Sequence, residues 1–176
     1  MAPRALVAYG TKNGSTQEIA EAIGDALRAH GMEAEVRAAS EVRGVSPYDV
    51  VVLGGALYSG RWHSDAVRFV HRHGAALSKR TVWLFSSGPL DASAGEREIL
   101  PVRGARRALV RLDAREHVTF GGRLEAGARG RMARMIVQSG RGGDFRDFAR
   151  IAAWATKIAH AAAAEVQVRR QGHEAG

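Results

Sequence analysis

The run Asp49-Val50-Val51-Val52-Leu53, closed by Gly54-Gly55, is the strongest constraint on how this chain folds. Successive strand side chains point to opposite faces, so a strand apolar at every position needs cover on both. An inner strand of a parallel sheet with helices above and below meets that need. Arg4 to Tyr9 and Arg80 to Ser86 have the same character, His117 to Phe120 is a shorter run, and Glu33 to Arg37 alternates. Helical spacing fills the intervals. Ser15 to His30 places Ile19, Ala20, Ile23 and Leu27 on one face and stops at Gly31, and Ser64 to Ala76 carries Val67, Phe69 and Val70. Ile99 to Leu112 is a third helix containing Gly104, and Phe145 to Ala164 is the last. This alternation predicts right-handed crossovers and an α/β fold, a three-layer α/β/α sandwich. The 176 residues suit one domain, residues 1–165, with an insert at 123–144 after the fifth strand and a polar tail at 166–176 that frays.

The strongest chemical signal lies between the first strand and the first helix, in Tyr9-Gly10-Thr11-Lys12-Asn13-Gly14-Ser15-Thr16. A helix N-terminus has unpaired main-chain N–H groups and the positive end of the helix dipole, so it favours an anion. Glycine lets the backbone approach a ligand, and hydroxyls with Asn13 can donate to the many acceptors of a phosphate monoester. A plainer reading makes Ser15 or Thr16 a helix cap, with Glu18 completing a capping box. The spacing matches neither a nucleoside-triphosphatase loop nor a dinucleotide fingerprint.

The loop and its flanks resemble the flavodoxin signature. Val7, Tyr9, Thr11, Gly14, Thr16, Ala20 and Ile23 fall in register with it, while Ala8 is smaller than the usual residue. The resemblance implies a five-stranded parallel sheet of order 2-1-3-4-5 with FMN at the carboxyl ends of its strands, beside the switch between strands 1 and 3. Thr11, Lys12, Asn13, Gly14, Ser15 and Thr16 would then hold the 5′-phosphate. Two further loops should touch the flavin. One supplies Ala56, Leu57, Tyr58, Ser59, Gly60 and Trp62, whose aromatics suit a flat apolar ring, although both could be ordinary packing. The other supplies Ser87, Gly88 and Pro89, whose amides can reach the ring edge. Arg61 is a candidate cation favouring an anionic reduced flavin, and His63 a helix cap or orienting group. No second ligand stands at metal spacing from His63, and no catalytic acid or base is singled out, because a flavin carries the hydride and electron chemistry itself.

A narrower resemblance joins Ala56, Gly60 and His63 to the ending Gly121-Gly122-Arg123-Leu124, an insert, and Gly142-Gly143-Asp144. These look like the menaquinone-dependent protoporphyrinogen oxidase branch of the flavodoxin-like proteins. That branch implies a porphyrinogen substrate and a quinone acceptor. A soluble FMN electron shuttle serving a redox protein, and a flavin-free anion-binding module of the same fold, are the alternatives.

Composition narrows the partners. Twenty-six Lys and Arg against 18 Asp and Glu give +8, and only Lys12, Lys79 and Lys157 are lysine. Such a balance suits an anionic partner, or reflects Arg-rich codon usage alone. The intact phosphate loop turns the expectation away from nucleic acid. Residues 129–137, including Met132-Ala133-Arg134-Met135-Ile136-Val137, could lie on an anionic bilayer or clamp a substrate's carboxylates, and could equally be a solvated loop with an apolar anchor. Cysteine is absent, which excludes disulfides and thiolate chemistry. No apolar run approaches the roughly 20 residues of a spanning helix, and the first residues are too short an apolar stretch for a signal peptide, so a cytoplasmic location, peripheral to the membrane at most, is the expectation.

Overall fold

The computed structural model describes residues 2–88, 98–124 and 143–174. Five parallel strands form the sheet: β1 (Arg4–Gly10), β2 (Glu33–Ala38), β3 (Val50–Tyr58), β5 (Thr81–Ser87) and β6 (His117–Phe120), in spatial order β2-β1-β3-β5-β6. Counting these five alone, the order is the expected 2-1-3-4-5, with its reversal between β1 and β3. Among the described residues, two α-helices cover each face. Helices α1 (Ser15–Ala29) and α4 (Phe148–Glu174) bury Ile19, Ile23, Leu27, Ile151, Trp154 and Ile158 against Val7, Val52, Phe85 and Phe120. Helices α2 (Ser64–Leu77) and α3 (Arg103–Arg111) close the other face over Leu6, Val51, Leu53 and Leu84. The all-apolar strands are thus covered on both sides, which is why their sequences lack a polar face.

Four boundaries depart from the sequence expectation by more than a residue. β3 does not end at Gly54-Gly55 but runs on to Tyr58. A Cβ at Gly54 would lie 1.9 Å from the Phe85 ring, and one at Gly55 would lie 2.5 Å from Trp62 Nε1, so these glycines admit an aromatic ring on each face of the strand. The strand then folds back through Ser59 (φ 50°) and Gly60 (φ 70°) into the two-residue strand β4 (Arg61–Trp62). Two successive left-handed residues make the type of turn that matches the twist of paired strands. α3 begins at Arg103 rather than Ile99, because Pro101 disfavours helical backbone at the residue before it. α4 begins at Phe148 rather than Phe145: the Arg150 N–H donates to Asp147 Oδ1 at 3.1 Å, which makes Asp147 the cap. Its far end continues to Glu174, so the polar tail prolongs the helix where fraying was expected.

Two short strands, β7 (Arg123–Leu124) and β8 (Gly143–Asp144), pair antiparallel at the two ends of the insert. The Phe145 N–H donates to Gly122 O at 2.9 Å, and a Cβ at Gly121 would lie 2.0 Å from Phe145 O. The two chain segments cross backbone to backbone, which only glycine allows. Among the described residues no helix is long and apolar enough to cross a membrane.

Candidate functional site

Three loops leave the carboxyl edge of the sheet side by side, because β1, β3 and β5 are neighbours in register: Gly10 stands opposite Gly55, and Ala56 opposite Ser87. The edge therefore assembles residues 11–16, 56–62 and 86–88 at the switch point, where such sheets bind ligands.

The first loop is built as an anion cradle. Gly14 takes φ 83° and stands at the start of α1, with no side chain capping the helix. The first main-chain bond of the helix runs from the Glu18 N–H to Gly14 O, which leaves the N–H groups of Ser15, Thr16 and Gln17 before any intrahelical partner. The capping-box reading fails here, since Glu18 turns instead to Arg123 and Arg146. Thr16 is fully buried and its Oγ1 has no hydrogen-bond partner. A buried hydroxyl without a partner is rare and points to a missing acceptor. Thr11 Oγ1 accepts from the Gly14 N–H at 3.1 Å, which shapes the loop. Ser15 Oγ accepts from the Arg123 N–H at 3.0 Å, and its own O–H remains able to donate, since a hydroxyl does both. This donor set, all N–H and O–H at a helix N-terminus, fits a phosphate ester.

Tyr58 enters this cradle from the second loop. The Asn13 side-chain amide donates to its hydroxyl at 3.3 Å, and the main-chain N–H groups of Lys12 and Asn13 face the same oxygen, while burial pushes the phenol pKa up. The hydroxyl thus meets donors that an incoming phosphate would use. Trp62, in contrast, is 5% exposed. Its Nε1–H donates to Phe85 O at 3.3 Å, and its side chain is wedged between Gly55 and Gly104. The indole belongs to the core, the packing role the sequence left open. Ala56 is buried, with its carbonyl accepting from the His63 N–H at 2.9 Å; Leu57 and Tyr58 are half-buried, and Ser59 and Gly60 are exposed at the turn. His63 caps α2, its Nδ1 accepting from the Asp65 N–H at 3.2 Å, and burial lowers its pKa against the raising effect of Asp65. In the third loop Ser87 and Gly88 are buried, and the Gly88 N–H donates to Phe120 O at 3.0 Å. Pro89 and residues 129–137 lie outside the described residues.

Two features escaped the sequence reading. Arg123 and Arg146 both reach Glu18 in the first turn of α1, and Arg146, 5% exposed, also pairs with Asp144 at 2.8 Å. These contacts hold Glu18 and Asp144 below their usual carboxylate range, through hydrogen bonds from Arg146 above all. Arg123 and Arg146, on either side of the insert, are thus fastened to the helix that carries the cradle. The second feature is Ser86, whose Oγ lies 2.8 Å from His117 Nε2 across β5 and β6. Only pairing register brings these two together, and no spacing in the sequence signals it.

An α/β sandwich of this strand order, with a donor-lined helix N-terminus at its switch point, defines the flavodoxin-like class of fold. Within it, the flavodoxin-domain family matches residues 6–141, and the chain belongs to that family. Protoporphyrinogen IX dehydrogenase [quinone] of Escherichia coli K12 is 30% identical over 77 residues, 43% of this chain. The matched stretch spans 42% of that relative's length. Among solved structures, a flavodoxin from the domain Archaea superposes with a TM-score of 0.57 at 11% identity, covering 90% of this chain and 98% of the other. A short-chain flavodoxin associated with a bacterial microcompartment gives 0.59 at 17%, covering 91% and 99%. These likenesses carry the fold.

Proposed function

We propose that this chain binds FMN at the carboxyl edge of its sheet and works as an oxidoreductase, with a protoporphyrinogen-type substrate and a quinone as acceptor. One observation carries the cofactor: the buried, unpartnered Thr16 hydroxyl beside the uncapped N-terminus of α1. Thr16 and Ser15 would donate hydroxyl hydrogens to the phosphate, joined by the free N–H groups of the first helical turn and by Thr11, Lys12, Asn13 and Gly14. Bound flavin would supply the hydride and electron transfer. The chain's own part would be positioning: Ala56, Leu57, Tyr58, Ser59 and Gly60 from one loop and Ser87 and Gly88 from the next would hold the ring at the sheet edge. Buried apolar strands beneath exclude water from one face. The substrate and acceptor rest on the quinone-linked relative and on the Gly121-Gly122-Arg123-Leu124 and Gly143-Asp144 landmarks, of which Arg123-Leu124 and Gly143-Asp144 pair as β7 and β8.

Titration of the purified protein with FMN and with riboflavin, followed by flavin fluorescence, tests the cradle. Hydrogen bonds to a charged group contribute about 1.5–3 kcal/mol each, so Ser15→Ala with Thr16→Val should weaken FMN at least about a hundredfold. Riboflavin, which has no phosphate, should bind both proteins alike. Equal FMN affinity in the double variant would remove the assignment. Menaquinone-coupled oxidation of protoporphyrinogen IX by the loaded protein then tests the substrate separately, and a loaded protein that fails to turn it over is left with the shuttle role.

A further inference from the structure

Helix α3 presents an exposed face that is both cationic and apolar. Positions 103, 106, 107, 110 and 111 fall at i, i+3, i+4, i+7 and i+8, and all are exposed. Ala105 and Ala108, on the opposite side, are buried against the sheet. The outer face therefore consists of Arg103, Arg106, Arg107, Val110 and Arg111. Among the described residues no carboxylate pairs with any of these arginines, although Glu98 and Asp113 lie close in sequence; Arg111 leans on His71 Nδ1 at 3.3 Å. Elsewhere ion pairs hold Arg4, Arg28, Arg37, Arg68, Arg115, Arg123 and Arg146. Val110 is 76% exposed, and Leu100, just before the helix, is 73% exposed. These are the two most exposed large apolar side chains of the described residues. Between α2 and α3 runs a cleft of about 550 Å³, walled by Trp62, Val67 and Val70 and rimmed by Arg106, Arg107 and Arg111.

We infer that the α3 face is a docking surface for an anionic phospholipid bilayer. Apolar side chains standing among arginines that meet no carboxylate of the described residues, over a cleft apolar in depth and cationic at its rim, match an amphiphile with an acyl body and a negative head group. An acidic protein is the poorer fit. A nine-residue helix is about 14 Å long, and its face falls well short of the roughly 800 Å² each partner buries in a stable protein interface. On a bilayer each cation acts separately, and each arginine near the surface raises partitioning about fivefold. The helix also starts at the edge of the candidate site: Thr119 Oγ1 donates to Ile99 O at 3.4 Å, and Gly104 packs on Trp62. Docking here brings that edge to the lipid. The inference does not depend on flavin and can fail or hold without it.

Co-sedimentation of the full chain with phosphatidylcholine vesicles, with and without phosphatidylglycerol and at low and high salt, tests it. Binding should require phosphatidylglycerol and fall with salt. Arg103→Glu with Arg107→Glu, exposed positions that leave the thermal melt unchanged, should lower partitioning by about a hundredfold or more. Leu100→Ser with Val110→Ser should lower it severalfold and keep the salt dependence. The parallel variant Arg131→Glu with Arg134→Glu separates the insert from α3. Absence of lipid-dependent binding, wild-type binding by both α3 variants, or complete loss in the insert variant alone would each overturn the inference.

Discussion

Tyr58 carries the sharpest ambiguity at the scale of single residues, because its hydroxyl faces donors that also suit a phosphate. The Asn13 amide and the Lys12 and Asn13 main-chain N–H groups converge on one oxygen. If that oxygen stands in for a phosphate oxygen, removing it frees the donors while the ring stays for the flavin. Tyr58→Phe should then tighten FMN about fivefold, and lower the stability of the flavin-free protein by about 1 kcal/mol, the net worth of an ordinary hydrogen bond. Flavin fluorescence and urea denaturation read the two effects on the same sample. FMN affinity reduced tenfold would instead make the hydroxyl a ligand. The Thr16 hydroxyl differs in kind: among the described residues nothing satisfies it.

At the scale of elements, β3 shows how much the sequence disclosed and where it stopped. Its apolar half predicts an inner strand, and the following Gly-Gly pair looks like a terminator because glycine commonly punctuates strands. Inside this fold the same pair is an interior feature, since Phe85 and Trp62 occupy the volumes two side chains would need. That complementarity is between residues about 30 and 7 positions away, and local pattern does not register it. Gly54→Ala should therefore destabilise the fold by about 3 kcal/mol or more, read as a lower urea midpoint with unchanged slope, because a Cβ 1.9 Å from the Phe85 ring forces strand or ring to move. A midpoint within error of the parent would show that the ring relocates freely. The helices were legible for a different reason. α1 and α2 run within a residue of their expected limits because caps and glycines are local signals. The candidate site followed the same division: the place of residues 11–16 between β1 and α1 is contiguous and was readable, whereas the clamp of Arg123 and Arg146 on Glu18 spans more than a hundred positions and was not.

For the whole molecule, the clearest consequence is how stability responds to acid. His117 lies beneath the sheet edge with Nε2 on Ser86 Oγ and Nδ1 buried without a partner, and burial pushes its pKa down to about 4. An unfolded histidine titrates near 6.5. Above about pH 6.5 the ring is neutral in both states, and its stabilising share is fully present. Between about 6.5 and 4 the unfolded chain takes up a proton that the folded protein refuses, so stability falls with falling pH. Below about 4 both states are protonated and this loss ends. A shift of this size amounts to on the order of 3 kcal/mol across the window. Burial also lowers the pKa of His63 and His73, so they act in the same direction. The carboxylates act lower in pH: Glu18, Glu35 and Asp144 are held low by their arginine and tyrosine partners, so their contribution is whole above the ordinary carboxylate range and is lost as pH falls from about 4 through those lowered values. The acid limb should therefore have two stages, histidine first and carboxylate second. Urea denaturation across this pH range resolves them, and His117→Gln, which keeps a polar group toward Ser86 but does not titrate, should flatten the first stage whatever it does to stability at neutral pH. An unchanged slope between pH 6.5 and 4 in that variant would mean that the buried ring is not what the fold loses to acid.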